Sequence, residues 1–296
     1  MSTPSPPPDP PASGGLSRLP LRTIRPPSGF APLDGRELWA YRDLLTTLAA
    51  RDIMLRYRQT ALGVAWVLIQ PLMGAGLLTL VFGKIAGLAK GSGTDYFLLT
   101  FAGQIFYVAY AGTLNKVAAS LVGNAGLVSK VYFPRLILPL STVASSLLDF
   151  AVGVCLLVPL TLFLHGLPDL PILTFPFWVF FALLLSLGWG LIAAALMVAY
   201  RDVAHILPVL MQFLNFGSPV GWTLDRVSEK WLPLYLLLNP LSVFLEGFRW
   251  SLFAPAGAAF PVPLGFVGYA VFVSVAVFVL GATVFRNRER QFADVI

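Results

Sequence analysis

Hydrophobic residues in this chain come in long uncharged runs rather than in short alternating blocks. Six runs approach or exceed the roughly 20 residues that a helix needs to cross a bilayer. They are Ala61 to Phe82, Tyr96 to Leu114, Leu136 to Leu164, Phe175 to Tyr200, Val203 to Trp222 and Leu264 to Phe285. The pattern predicts an all-α polytopic membrane protein whose six transmembrane helices occupy 61–285. The third run, at about 1.5 Å per residue, overshoots a hydrocarbon core of about 30 Å, so it must tilt or project from the membrane.

Two further segments are periodic without being long enough to cross. On a helical wheel, Leu38, Tyr41, Leu44, Leu45, Leu48, Ala49 and Leu55 gather on one side, opposite Asp43, Thr47, Arg51 and Arg58. This predicts an N-terminal amphipathic interface helix within 34–60, with Asp52 and Arg56 paired at i and i+4. Between spans 5 and 6, Thr223 to Pro263 is apolar yet contains "NPLSVFLEGFRWSLF", with Asn239 as N-cap, Pro240 at the first helical position and Glu246 three residues before Arg249. Length and charge rule out a crossing there, so re-entrant or interfacial outer helices are expected.

The remaining segments are polar or broken. Residues 1–33 are rich in Pro, Ser and Gly and read as a disordered tail, and 286–296 as a C-terminal tail. No apolar stretch of signal-peptide type follows the first Met, so the first span is expected to direct insertion. The loop "NKVAASLVGNAGLVSKVYFPR" between spans 2 and 3 breaks at Gly123 and Asn124 and stops at Pro134. Its aliphatics mixed with Lys116, Lys130 and Arg135 suit either a docked protein partner or a solvated loop.

Composition agrees with a membrane setting. The chain is 57% hydrophobic and 11% charged, whereas soluble domains carry about 25% charged residues. The net charge of +6 matters less than its distribution. Of the 20 Lys and Arg, 15 fall on the side of the termini and five on the other (Lys84, Lys90, Arg226, Lys230, Arg249), which predicts that both termini are cytoplasmic. The single Cys155 forms no intrachain disulfide. Neither His165 nor His205 has a neighbour at metal-ligand spacing, so no metal site is expected, and no nucleic-acid partner either. No GxxxxGK[ST] phosphate loop occurs, so if this chain moves something actively the energy must come from another chain, and no cofactor is expected in this one.

Within the spans the polar inventory is short. Asp149 is the one formal charge deep in a run, a functional candidate by default, although Ser141, Ser145 and Ser146 on nearly the same side point to a structural polar seam around it. Gln70, Gln104, Gln212 and Asn215 add uncharged polarity, and Gly217, Ser218 and Pro219 break the fifth run. So few charges, with no inverted repeat, argue against an ion-coupled carrier. Phe97, Phe101, Phe106, Tyr107 and Tyr110 on the second span are candidates to line a sugar path, against the alternative of ordinary lipid or interface contacts.

The stretches "RDIMLRYRQTALGVAWVLIQPL" and "GNAGLVSKVYFPRLILP" resemble the two signature regions of the ABC-2 type permeases that export polysaccharides, the group of O-antigen and teichoic-acid exporters. The likeness extends from about Tyr41 to the C-terminus. The resemblance implies a non-enzymatic half-transporter in a bacterial cytoplasmic membrane, pairing with a second copy of itself and with two copies of a separate ABC ATPase. Its implied cargo is a lipid-linked polysaccharide on undecaprenyl diphosphate, whose head would suit Arg51, Arg56 and Arg58. By the same resemblance Asn124, Lys130, Tyr132, Phe133, Pro134 and Arg135 fall in the ATPase-coupling region, and Asn239, Pro240, Glu246 and Arg249 in helices that close the external mouth. A drug or lipid exporter of the same architecture is an alternative. A membrane enzyme acting on polyprenyl phosphates is another, although Asp43, Asp52 and Asp202 are too spread to form its acid cluster.

Overall fold

The computed structural model describes residues 35–57, 65–88, 93–128, 130–131 and 133–295. Among them are eleven α-helices and no strand. In chain order these are α1 (Gly35–Ala40), α2 (Arg42–Tyr57), α3 (Ala65–Leu78), α4 (Gly93–Ala119), α5 (Ala125–Val128), α6 (Ile137–His165), α7 (Phe175–Ala199), α8 (Val203–Gly217), α9 (Leu232–Leu238), α10 (Leu241–Phe253) and α11 (Leu264–Val295). The Pro-rich segment 1–33 lies outside the described residues.

Among the described residues, five helical stretches are long and apolar enough to cross a membrane: Ala65–Ile85, Tyr96–Ala119, Ile137–His165, Leu170–Ala199 and Leu264–Glu289. The first continues α3 through a π-helical end, Thr79–Ile85. The expected fifth span corrects to the 15-residue α8, about 22 Å of helix against a hydrocarbon core of about 30 Å. Beyond Gly217 the chain continues as non-helical backbone through Ser218, Pro219, Val220 and Gly221, all buried. Buried fractions separate centre from periphery: 72% of the α4 span and 61% of the α7 span lie inside the protein, against 17% for α3, 22% for α6 and 17% for α11. α7 packs along α11 and α4, and α4 along α6 and α3.

The bundle has two ends, defined by what closes them. At one, the near end, the amphipathic segment packs on the start of α6. Its apolar face forms as expected, with Leu48 and Ala49 buried and Leu38, Tyr41, Leu44 and Leu45 half-buried over Phe133, Ile137 and Leu138. It is two helices rather than one, turning at Tyr41, and Leu55 is exposed rather than on the packed face. At the far end α9 and α10 form a hairpin. α10 is buried almost all round, from Leu241 through Arg249, so it packs into the bundle rather than lying on its surface. The Phe248 ring makes tilted contacts with Phe106, Phe150 and Phe175. Gly247 lets Trp178 lie flat on α10, because a Cβ there would collide with the indole ring. The last helix continues well past Phe285, so 286–295 extends the span as helix.

Candidate functional site

A cleft of about 440 Å³ lies between α3, α4, α6 and α8. Each wall has a local reason. In α3, Pro71 removes the helix's own donor to the Val67 carbonyl, and Val67, Gln70 and Pro71 all line the cleft. Gly74 lets α4 approach closely, since a Cβ at that position would lie 2.8 Å from the Gln104 amide nitrogen. Gln104 accepts a long hydrogen bond from the Asn215 amide of α8, at 3.4 Å. The Tyr107 hydroxyl donates to the Met211 carbonyl, tying α4 to α8 along the same edge. Gln70 and Gln212 are exposed at the cleft wall.

The charged pair of the cleft joins α4 to α6. The Lys116 ammonium donates to an Asp149 carboxylate oxygen at 2.7 Å and to the Ser145 hydroxyl at 3.0 Å. Lys116 belongs to the last turn of α4 rather than to the following loop, and the serine seam expected around Asp149 is corrected accordingly. Ser141, Ser145 and Ser146 donate to backbone carbonyls of their own helix, at Leu138 and Thr142, as β-hydroxyls in helices do. The carboxylate is held by an opposite charge, the cheaper solution in a low-dielectric bundle.

At the far end a polar network satisfies the non-helical backbone that follows α8. Arg249 donates to the carbonyls of Leu99 at 3.1 Å, Pro219 at 2.5 Å, Val220 at 2.5 Å and Trp222 at 3.2 Å. Its expected partner Glu246 lies 3.4 Å away. Asn239 is not a helix cap, since Pro240 takes that position without a side-chain bond. Its amide donates instead to the Ser218 hydroxyl at 3.0 Å and the Gly217 carbonyl at 3.4 Å. The Tyr235 hydroxyl donates to Gly217 O at 2.8 Å, and the Tyr96 hydroxyl to Gly221 O. Irregular backbone at membrane depth survives only where protein groups satisfy it, and here they do. Burial pushes the Glu246 carboxyl up from its ordinary value, with the Arg249 charge pulling the other way. Burial also pushes the Tyr235 hydroxyl up to about 12, against opposing hydrogen bonds to Ser242 and Asn239.

At the near end the structure links the interface helix to the loop after α4. Arg51 donates to Asp52 at 2.9 Å and to the Asn124 side-chain oxygen at 2.7 Å, while Asn124 donates back to the Ser120 carbonyl at 2.8 Å. Arg51 is therefore committed to protein partners. The Arg56 side chain, and with it the expected Asp52–Arg56 pair, as well as Arg58 and Tyr132, lie outside the description. Arg135 bonds across to Glu289 on α11, through its backbone N–H at 3.0 Å and through its guanidinium to the Glu289 carbonyl. Phe133 is buried beneath α2, Pro134 is half-buried and Lys130 is exposed. Val122 and Val131, which the sequence did not single out, are exposed apolar residues of the loop on this face, beside exposed Met54 and Leu55 on α2.

The aromatic candidates divide sharply. Phe101, Phe106, Tyr107 and Tyr110 are all buried within the chain, and Phe97 is half-buried and stacked on Phe101. Of the five only Tyr107 touches the cleft. The others form core, which corrects the expectation of an aromatic lining within one chain. Asn115 and Lys116, one turn from the end of α4, are cleft residues that sequence reasoning assigned to the loop. Their spacing from Ala111 and Gly112 was the available signal, since all four share one face of an unbroken helix.

Comparison with known proteins follows the same outline. Residues 43–253 match the ABC-2 type transporter family. The chain is 27% identical over 262 residues to the O-antigen export system permease protein RfbA of Myxococcus xanthus, covering 88% of this chain and 98% of the relative. It is 24% identical over 258 residues to the RfbA protein of Klebsiella pneumoniae, covering 86% and 95%. It is 27% identical over 249 residues to the polysialic acid transport protein KpsM of Escherichia coli, covering 82% and 92%.

Proposed function

Because the chain belongs to the ABC-2 type transporter family, we propose that it is the transmembrane subunit of an ATP-driven exporter of polysaccharide. It performs no covalent chemistry, and ATP and Mg are bound by a separate ABC ATPase chain. The cargo is an O-antigen-like polymer carried on undecaprenyl diphosphate, moved across the cytoplasmic membrane with both termini of the permease on the cytoplasmic side. The names of the relatives support polysaccharide as the cargo class.

The observation that carries the reading is the polar cleft. Gln70, Gln104, Asn115, Gln212 and Asn215 bring five carboxamides to one cavity, beside the Lys116–Asp149 pair. Carboxamides both donate and accept, which matches sugar hydroxyls without demanding a charge. The exposed apolar residues on either side, Met73 and Leu77 on α3 and Val209 and Phe213 on α8, offer a second copy the surface with which to close the path. The working complex is two permeases with two ATPases. The face made by α2 and the Val122–Val131 loop meets the ATPase.

Deleting the gene should leave finished polymer trapped on its lipid carrier inside the cell, and complementation should return it to the surface. Polymer reaching the surface normally in the deletion strain would overturn the reading, and accumulation of a drug or phospholipid instead would favour the other exporter class. Mass measurement of the complex purified with its ATPase checks the two-plus-two assembly.

A further inference from the structure

We propose that the Lys116–Asp149 pair is the headgroup-recognition site of the cleft, in which Lys116 takes the diphosphate of an amphiphile and Asp149 holds its place when no cargo is bound. The inference rests on the export reading above and names where its cargo is first gripped.

Depth is the first argument. From Asp149 to the far end of α6 at His165 is about 24 Å of helix. In a hydrocarbon core of about 30 Å the pair therefore lies close to the near-end boundary. That is the leaflet where both termini lie, and where a lipid carrying a cytoplasmically built polymer presents its phosphates. Lys116 sits one turn from the end of α4, so its charge reaches the same level from the opposite wall.

Access is the second argument. The two side chains line the cleft and keep 25% and 12% of their surface exposed, so the pair forms part of the wall. A charged ligand entering the cavity therefore meets both charges directly. Asn115 and Ser146 stand beside it on the same wall; the Ser146 hydroxyl donates to the Thr142 carbonyl, whereas the Asn115 amide, which donates to the Ala111 carbonyl at 2.9 Å, keeps its second N–H for a phosphate oxygen.

Chemistry is the third. Asp149 offers a single negative charge at 2.7 Å. A diphosphate brings more charge and more acceptor oxygens to the same ammonium, and lysine is a common point-charge binder of phosphate. Exchange of the carboxylate for the headgroup keeps Lys116 neutralised throughout. The same phosphate chemistry is available from an ordinary anionic phospholipid or from a soluble diphosphate, so the test separates the three.

The experiment uses the permease assembled with its ATPase in nanodiscs of phosphatidylcholine, with bound lipid read by native mass spectrometry. Undecaprenyl diphosphate, phosphatidylglycerol or inorganic pyrophosphate is supplied in separate arms. The double variant Lys116→Met/Asp149→Leu removes both charges of the pair together. It should retain assembly and lose at least about tenfold in affinity for undecaprenyl diphosphate. Lys116→Arg should retain binding, and Asp149→Asn, which removes the competing anion, should tighten it several-fold. Unchanged binding in the double variant overturns the inference. If that variant fails to assemble, Asp149→Asn decides, and equal or weaker binding overturns it. Phosphatidylglycerol or pyrophosphate bound as tightly and with the same dependence on Lys116 overturns it too. Normal export by the wild-type gene together with binding indifferent to these residues sinks this inference alone, whereas a deletion strain that still exports sinks the function on which it rests.

Discussion

Arg249 is held by carbonyls more than by its carboxylate neighbour, and that asymmetry predicts how substitutions behave. It donates to four backbone oxygens, while Glu246 stands at 3.4 Å. Arg249→Met should lower stability by about 3–5 kcal/mol, because it leaves a buried carboxylate and several carbonyls without donors. Glu246→Gln should cost less than about 2 kcal/mol, since the carbonyls keep Arg249 in place. Thermal unfolding of the detergent-solubilised protein checks the order of the two midpoints, and the reverse order would mean that the ion pair dominates. Gly247→Ala tests the close approach of Trp178. Overpacking there should destabilise by about 1–3 kcal/mol, and Trp178→Leu in the same chain should recover part of the loss. Both sites combine local and distant information. The i, i+3 pair in α10 is readable from spacing, whereas the carbonyls that Arg249 serves lie on other elements.

At the level of elements, the amphipathic α2 is joined to the loop after α4 by Arg51 and Asn124. A link between an interface helix and a loop on the same face is a route by which movement of a docked partner reaches the bundle. Arg51→Gln and Asn124→Ala should each reduce polymer export, and the double variant should be little worse than either alone. A coupling energy of about 0.5–3 kcal/mol is expected from a double-mutant cycle on the export rate, with simple additivity counting against the link. α8 illustrates what hydropathy cannot resolve at this scale. The run from Val203 to Trp222 is uniformly apolar, yet its helix ends at Gly217. Hydropathy scores transfer to lipid, whereas helix length depends on whether the broken backbone finds donors elsewhere. Here it finds them on Tyr96, Tyr235, Asn239 and Arg249.

At the scale of the whole molecule the cleft exists only because four helices meet, with the amides of α3, α4 and α8 and the carboxylate of α6 turned to one space. Gln104→Leu with Asn215→Leu should leave assembly with the ATPase intact and lower polymer export several-fold, measured as surface polymer at equal permease abundance. Retained export with both amides gone would move the sugar path elsewhere. Sequence by itself determined the all-helical membrane class, the positions of the long spans to within a few residues, most of the packed face of the amphipathic segment and a helix too short to cross between spans 5 and 6. Those follow from hydropathy and periodicity, which are local properties. Only the tertiary structure decided the partner of Asp149, 33 residues away, the amide contact between Gln104 and Asn215, 111 residues apart, and the hold of Arg249 on Leu99 across 150 residues. It likewise placed Phe101, Phe106 and Tyr110 in the core. A helix that is apolar all round carries no pattern that states which side faces lipid, neighbour or cavity. Packing against the other helices fixes that rotation, and with it the chemistry of the cleft.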